Sequence, residues 1–324
     1  MWVEVPFEVQ KPQEGQRLDA FLARRLHRYS RAEVQRLIAE GRVFLRGRNA
    51  KPATRVADGD TVLIRYPHRE EPPPNHAAFP VLYEDEHLLG INKPGDVLSH
   101  PTDRVVANSV TSILRGQFPG AKLHLVHRLD RETSGILILA KNPKVARALT
   151  DRFTDREVKK EYLAIVAGKM GFKRKTVDRP LGYEGAEIKV RQAVIETDGA
   201  ESENGRGISA ATDFERLASN GIASLVHAAP RTGRLHQIRV HLAWLGHPVL
   251  GDKLYTGSGE MYMKTVRREL AAEDLERLGA PRQMLHAWKI KLAHPATQVP
   301  LEIVAPLPMD FERSLERFYL RFPR

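Results

Sequence analysis

The sequence predicts an α+β protein in two parts: a small helix-helix-strand module, then a larger domain built on a mixed sheet. Three observations predict it. Residues 16–66 show apolar positions at helical spacing twice, followed by two short apolar runs set off by turn residues. Residues 68–80, HREEPPPNHAAFP, carry three consecutive prolines and read as an extended, semi-rigid spacer. Residues 81–324 alternate short apolar runs with helical stretches in no strict βαβ rhythm and with no internal repeat. The expected boundaries are therefore 1–67 for the module, 68–80 for the spacer and 81–324 for the large domain.

In the module, Leu18, Phe21, Leu22 and Leu26 define the buried face of a first helix. Ser30-Arg31-Ala32-Glu33 has the form of a capping box, in which the serine bonds forward and the glutamate bonds back. It opens a second helix with Val34, Leu37 and Ile38 inward, stopped at Gly41 by a left-handed turn. Val43-Phe44-Leu45 predicts a strand with a turn over Arg46–Asn49, and Asp58-Gly59-Asp60 turns into a strand at Thr61–Ile64. In the large domain, strands are expected at Leu88–Asn92, Ile136–Ala140, Tyr162–Val166, Ala223–His227 and Leu301–Val304. Asn142-Pro143 caps and starts a helix through Val145, Leu149 and Phe153. Residues 198–211 are polar and glycine-rich, as in a loop.

Composition narrows the function. The net charge is +11, and a strongly basic soluble chain tends to meet a polyanion, most often nucleic acid. Between residues 16 and 55, eleven Lys or Arg stand against the three acids Asp19, Glu33 and Glu40. Arg25, Arg28, Arg31, Arg46, Arg48 and Lys51 lie off the apolar faces, where they can reach phosphates without disturbing the core. Cysteine is absent, which removes disulfides, thiolate metal sites and cysteine nucleophiles. No apolar run approaches the roughly 20 residues of a membrane span, and no signal peptide opens the chain, so a cytoplasmic location is expected. GxxxxGK[ST], GxGxxG and HExxH are missing, and His124 and His127 have no third partner nearby; no cofactor and no metal are expected.

The densest chemistry lies in HRLDRETSGILILAKN, residues 127–142. Five of the first six residues can carry charge, and after a Thr133-Ser134-Gly135 turn the chain enters an Ile/Leu run of the kind buried on both faces. Asp130 lies among His127, Arg128 and Arg131; on this stretch alone it also reads as a salt-bridged turn aspartate. A second charged cluster follows Pro230, where Thr232-Gly233 is expected to open an amphipathic helix with Leu235, Ile238, Leu242 and Leu245 on one face. Arg239, next to that face, needs a carboxylate, because an unpaired buried guanidinium is costly, and Asp130 is the candidate. Tyr162 shares its strand face with Ala164 and Val166, which leaves room for a base over its ring; periodicity alone makes it a core tyrosine.

Together these pieces resemble the RluA family of pseudouridine synthases. HRLDRETSG resembles that family's central motif, with Asp130 at the position of the catalytic aspartate. LLGINKPGDVLSHP (88–101) resembles its opening motif, KEYLAIVAG (160–168) the segment with its active-site tyrosine, and RTGRLHQIRVHL (231–242) the segment whose arginine pairs with the aspartate. Leu235 departs from the Thr or Ser more usual there, and residues 183–211 do not match the pattern closely. Residues 16–66 resemble a small RNA-binding domain first recognised in a small-subunit ribosomal protein. The resemblance implies a mainly antiparallel mixed sheet and a cofactor-free isomerase that turns uridine in RNA into pseudouridine. It assigns catalysis to Asp130, stacking on the uracil to Tyr162, pairing with the aspartate to Arg239, and filling of the gap left by the flipped base to Arg128. Large-subunit ribosomal RNA is the expected substrate and a monomer the expected form; transfer RNA is one alternative, and a non-enzymatic RNA-binding or ribosome-assembly factor another. A carbon-5 methyltransferase would need the missing cysteine.

Overall fold

The computed structural model describes residues 2–26, 29–67, 73–102, 105–184, 188–196 and 207–322. By its internal contacts the chain divides into two units, Met1–Glu71 and Pro72–Arg324.

The first unit packs α1 (Leu18–Arg25) and α2 (Arg31–Ala39) on an antiparallel sheet of β1 (Trp2–Glu8), β2 (Val43–Leu45), β3 (Arg48–Asn49) and β4 (Thr61–Pro67), in the order β1-β4-β2-β3. Leu18, Phe21, Leu22, Val34, Leu37 and Ile38 meet Val43, Leu45, Val62 and Ile64 in one core. The capping box forms: Ser30 accepts from the Glu33 N–H and the Glu33 carboxylate accepts from the Ser30 N–H. Two expectations change. The turn is only Arg46-Gly47, both at positive φ, and Arg48–Asn49 pairs back onto Phe44–Leu45 as the second arm of a tight hairpin. The strand β1 had no counterpart in the sequence reading. It has the period-two pattern, with Glu4, Pro6 and Glu8 exposed between Val5 and Phe7, but Pro6 argues against a strand unless it lies at a sheet edge, where β1 is.

The second unit runs β5 (Val81–Glu84), β6 (Leu88–Lys93), α3 (Val110–Gln117), β7 (His124–Leu125), β8 (Ser134–Ala140), α4 (Pro143–Thr154) and β9 (Lys159–Ala167). It continues with β10 (Arg174–Asp178), β11 (Leu181–Tyr183), β12 (Gln192–Val194), β13 (Ala211–Ser219), β14 (Ala223–Pro230), α5 (Gln237–Trp244), α6 (Glu260–Arg267), α7 (Ala272–Leu278), β15 (Leu285–Ala293), β16 (Pro300–Val304) and α8 (Met309–Arg317). Among the described residues ten strands form one mixed sheet in the order β10-β13-β14-β9-β15-β8-β6-β5, with β16 on β15 and β7 on β8. Among the described residues, β15–β8 is the only parallel pairing between strands of this sheet. The rest are antiparallel, as the predicted fold class requires. Each strand expected in this part is present and extended by one to three residues at its ends.

The Ile/Leu run is the centre of the sheet: all seven residues of β8 are buried. The strand begins at Ser134, earlier than the expected turn allows. Gly135 stands at φ 110, where a Cβ would lie 2.2 Å from the Ala287 carbonyl oxygen, so only glycine lets β8 meet β15 there. Asn142 caps α4 by accepting the Val145 N–H. The second half of the proline-rich spacer packs on this unit, because Phe79 is buried and exchanges hydrogen bonds between its backbone and the Gln117 amide. Residues 68–72 and 197–206, which include much of the expected 198–211 loop, lie outside the described residues. Among the described residues no helix is long and apolar enough to cross a membrane.

Candidate active site

Four strands set the site's geometry. Ala287 pairs with Gly135 on one side and with Tyr162 on the other, and Tyr162 pairs with Ala228 beyond. One row across the sheet therefore joins the start of β8, Tyr162 on β9 and the end of β14. The turn carrying Asp130 precedes β8, and the loop before α5 follows β14. Alanines on both neighbouring strands, as well as Ala164 on its own, keep the space around the Tyr162 ring open. A cleft of about 480 Å³ opens here, lined by Arg128, Asp130, Lys160, Tyr162, His236 and Arg239 among others.

The turn is tied down from several sides. The Thr133 N–H donates to the Asp130 carbonyl, and Gln283 Nε2 donates to Thr133 Oγ1. Lys253 and the Gln283 N–H hold the Glu132 carboxylate. Arg282 donates to the Glu132 carbonyl and to Ser134 Oγ while its fork clasps Asp310 of α8. Lys93 at the end of β6 is wholly buried. Its ammonium donates to the carbonyls of Pro94, Val97 and Arg131, three acceptors for three N–H groups. Burial pushes its pKa down to about 7. The sequence signal for this lysine was its place in the motif GINKPG at the end of a buried strand.

Arg239 and Asp130 meet at 2.7 Å, from Nη1 to Oδ2. The guanidinium has a second and stronger partner that the sequence reading missed. Asp252, wholly buried, receives Nε at 2.6 Å and Nη2 at 2.8 Å in a two-bonded fork. Asp252 also accepts the N–H groups of Leu254 and Tyr255, so it is fully committed. Its only sequence signal is a turn-forming Leu-Gly-Asp. Burial opposes a charge on Arg239, but Asp252 foremost and then Asp130 hold its pKa above the ordinary value. Burial would likewise raise the pKa of Asp130; Arg239, with His236 and Arg128 behind it, outweighs that and holds the carboxyl below the usual range. Asp130 is therefore an ionised carboxylate at neutral pH. Burial, and then the charge of Asp130, push the Tyr162 phenol up, so it stays protonated.

The helix carrying Arg239 differs from expectation. It starts at Gln237, not after Thr232-Gly233, and Leu235 is exposed outside it. Gln237 through Leu242 are all buried, so the helix is enclosed and not amphipathic. Gln237 holds its start, accepting from Thr232 Oγ1 and the Arg234 N–H and donating to the Ala211 carbonyl and Thr212 Oγ1. His127 supports the sheet: Nε2 accepts the Ile138 N–H at 2.9 Å and the ring stacks on Phe153. Among the described residues no cluster of three metal-ligating side chains occurs.

Arg128 lines the cleft and is exposed. The basic module divides into two kinds of residue. Arg31 joins Arg17 and Gln35 on the buried Asp19, and Arg46 forks onto Asp60, though both arginines stay more than half exposed. Arg25 reaches the Glu8 carbonyl and Gln13. Arg48 and Lys51 are exposed, with no ion pair among the described residues. Arg28 lies outside the described residues.

Three histidines make the fold acid-sensitive. Burial lowers the pKa of His127 to about 3, and of His236 and His286 to about 4. In the unfolded chain each titrates near 6.5. Their contribution to stability is therefore complete above pH 6.5 and is lost as the pH falls through 4. On unfolding at pH 5 these three groups together are expected to bind about three protons from the solvent, seen as a falling urea midpoint between pH 7 and 5. A midpoint constant over that interval would contradict their burial as neutral rings.

Comparison with known proteins gives a consistent answer. Residues 87–244 match the RNA pseudouridylate synthase family model, and residues 16–62 match the S4 domain model. Ribosomal large subunit pseudouridine synthase C of Vibrio vulnificus is 32% identical over 321 residues, with 95% of each chain covered. Ribosomal large subunit pseudouridine synthase D of Escherichia coli O6:H1 is 30% identical over 328 residues, covering 97% of this chain and 94% of that one. The solved structure of human RNA pseudouridylate synthase domain containing 4 aligns with a TM-score of 0.61 at 29% identity, over 75% of this chain and 94% of that one.

Proposed function

Because the chain belongs to the RNA pseudouridylate synthase family, we propose that Asp130 is its catalytic group and large-subunit ribosomal RNA its substrate. The reaction breaks the bond between uracil N1 and ribose C1′, turns the base, and joins C5 to C1′; the C5 proton is released and N1 gains one. No atoms are added and no electrons move between molecules. The observation that carries the assignment is an ionised carboxylate, held by an arginine that is itself anchored on Asp252, in one cleft with Tyr162.

Arg239 takes one hydrogen-bond position on Oδ2 of Asp130, and among the described residues no hydrogen bond reaches Oδ1, so the carboxylate keeps lone pairs on both oxygens for the nucleoside. The uridine must leave its stack to reach it, at a cost of a few kcal/mol. Tyr162 recovers part of that cost by stacking on the uracil in the space its alanine neighbours leave. Arg128, exposed at the same cleft, carries the flat cation that can occupy the emptied stack. The fixed turn and the buried strand behind it keep the carboxylate aimed. We take the enzyme to act as a cytoplasmic monomer.

Tritium release from RNA labelled at uridine C5, with nothing added, tests this reading on large-subunit ribosomal and transfer RNA separately. Release from ribosomal RNA alone is expected, and mapping the modified position identifies the uridine. Release from transfer RNA alone would overturn the substrate, and tight binding with no release from either would favour a non-enzymatic RNA-binding role.

The S4 domain module supplies the second arm of the proposal. Arg48→Ala with Lys51→Ala removes two exposed cations and, among the described residues, no ion pair, so folding should change by less than about 0.5 kcal/mol. The slope of log affinity against log salt should flatten by roughly 1.5, two phosphate contacts' worth. An unchanged slope would remove these two residues from the RNA interface.

A further inference from the structure

His236 lies in the cleft and has no part in the mechanism above. Its backbone is strained: at φ 57 it is left-handed, a conformation costly for any residue with a Cβ. His236 occupies the N-cap position of α5, yet its side chain caps no N–H, a task for which Ser, Thr, Asp or Asn would serve better. With that backbone the ring faces two groups. Nδ1 lies 2.9 Å from the Tyr255 hydroxyl, and Nε2 lies 4.0 Å from Asp130 Oδ2.

The tautomer follows from the hydrogen bonds. The Tyr255 oxygen accepts the Gln192 N–H at 3.0 Å, and among the described residues the buried hydroxyl has no acceptor for its own proton other than His236 Nδ1. The ring proton is then on Nε2, facing Asp130. Burial first, and Arg239 second, lower the pKa of His236 to about 4, so the ring is neutral and carries that one proton.

A separation of 4.0 Å is too long for a hydrogen bond between the two and leaves room for one oxygen bonded to both. On one side stands a donor, on the other an acceptor. The group that fits must accept from His236 and donate to Asp130, which a hydroxyl does in place of a water molecule. Uracil carbonyls and phosphate oxygens only accept, and uracil N3–H only donates. The ribose 2′-hydroxyl does both, and its carbon adjoins the C1′ at which the reaction takes place. We propose that His236 and Asp130 together form a slot for the 2′-hydroxyl of the target nucleotide, with His236 contacting the substrate and selecting ribose over deoxyribose there. The proposal rests on reading Asp130 as the catalytic group for a uridine in RNA.

A cycle of two changes tests it. The probes are a synthetic RNA stem-loop carrying the uridine mapped above and the same stem-loop with 2′-deoxyuridine at that single position. The proteins are wild type, His236→Gly and His236→Gln. Glycine accepts the left-handed backbone without strain, so the ring is removed and the turn retained; glutamine keeps an N–H donor. In equilibrium binding, the deoxy substitution should cost wild type about three- to ten-fold. His236→Gly should lose a similar factor on the all-ribose stem-loop and nothing further on the deoxy one, and His236→Gln should regain part of the loss. Equal deoxy penalties in wild type and His236→Gly would overturn the slot, as would no penalty in wild type. Tritium release by wild type from the all-ribose stem-loop is read in parallel. Its absence would overturn the isomerase reading and leave the binding cycle to judge the slot separately.

Discussion

Asp130→Asn is expected to abolish tritium release, by at least about 10³-fold, the loss typical when a group that takes part in bond making is removed. The fold should survive it. Arg239 keeps its two bonds to Asp252 when Asp130 loses its charge, so no buried guanidinium is left unpaired. The asparagine is close in size to the aspartate and sits in a turn whose backbone is held by Thr133, Lys93 and Arg282. Urea midpoint and RNA affinity should therefore stay close to wild type while turnover disappears. A variant that retains measurable release would remove Asp130 from the chemistry and return it to the role of a salt-bridged turn residue.

Asp252→Asn should cost stability as well as turnover. Asp252 is wholly buried and takes two of the three hydrogen bonds that Arg239 gives to carboxylates. Its neutralisation leaves a buried cation with Asp130 as its one anionic partner. Breaking such a pair costs about 3–5 kcal/mol, which in a unit of this size lowers the melting temperature by roughly 10 °C. Activity should fall as well, because Arg239 is released from the position in which it engages only Oδ2 of Asp130. The two variants separate anchoring from chemistry: one loses turnover with stability intact, the other loses both. Wild-type stability in Asp252→Asn would mean that Asp130 alone satisfies Arg239.

Much of this was legible in the chain because the signals are local. The capping box at Ser30, the cap at Asn142 and the Ile/Leu run at 136–140 depend on residues a few positions apart, and each forms where the spacing places it. The need of Arg239 for a carboxylate was legible too, as a cost of burial. Its main partner was not. Asp252 has no motif of its own, and it meets Arg239 because the chain turns back after α5. The start of α5 was misread for a related reason. Leu235 fits a helical period, but His236 is left-handed and the helix begins only after it. Pro6 hid β1, whose partner β4 lies more than fifty residues away in the sequence.

By itself the sequence determined the fold class, the strand at the centre of the sheet and the residue types brought to its mouth, because hydrophobic periodicity and turn chemistry act over short distances. The tertiary structure alone decided which of those residues meet. It placed Gly135, Ala287, Tyr162 and Ala228 in one row across four strands, Asp252 behind Arg239 and His236 beside Asp130. The physical reason is that register between distant strands, and the pairing of buried charges, follow from how the whole core closes, which no short window of sequence contains.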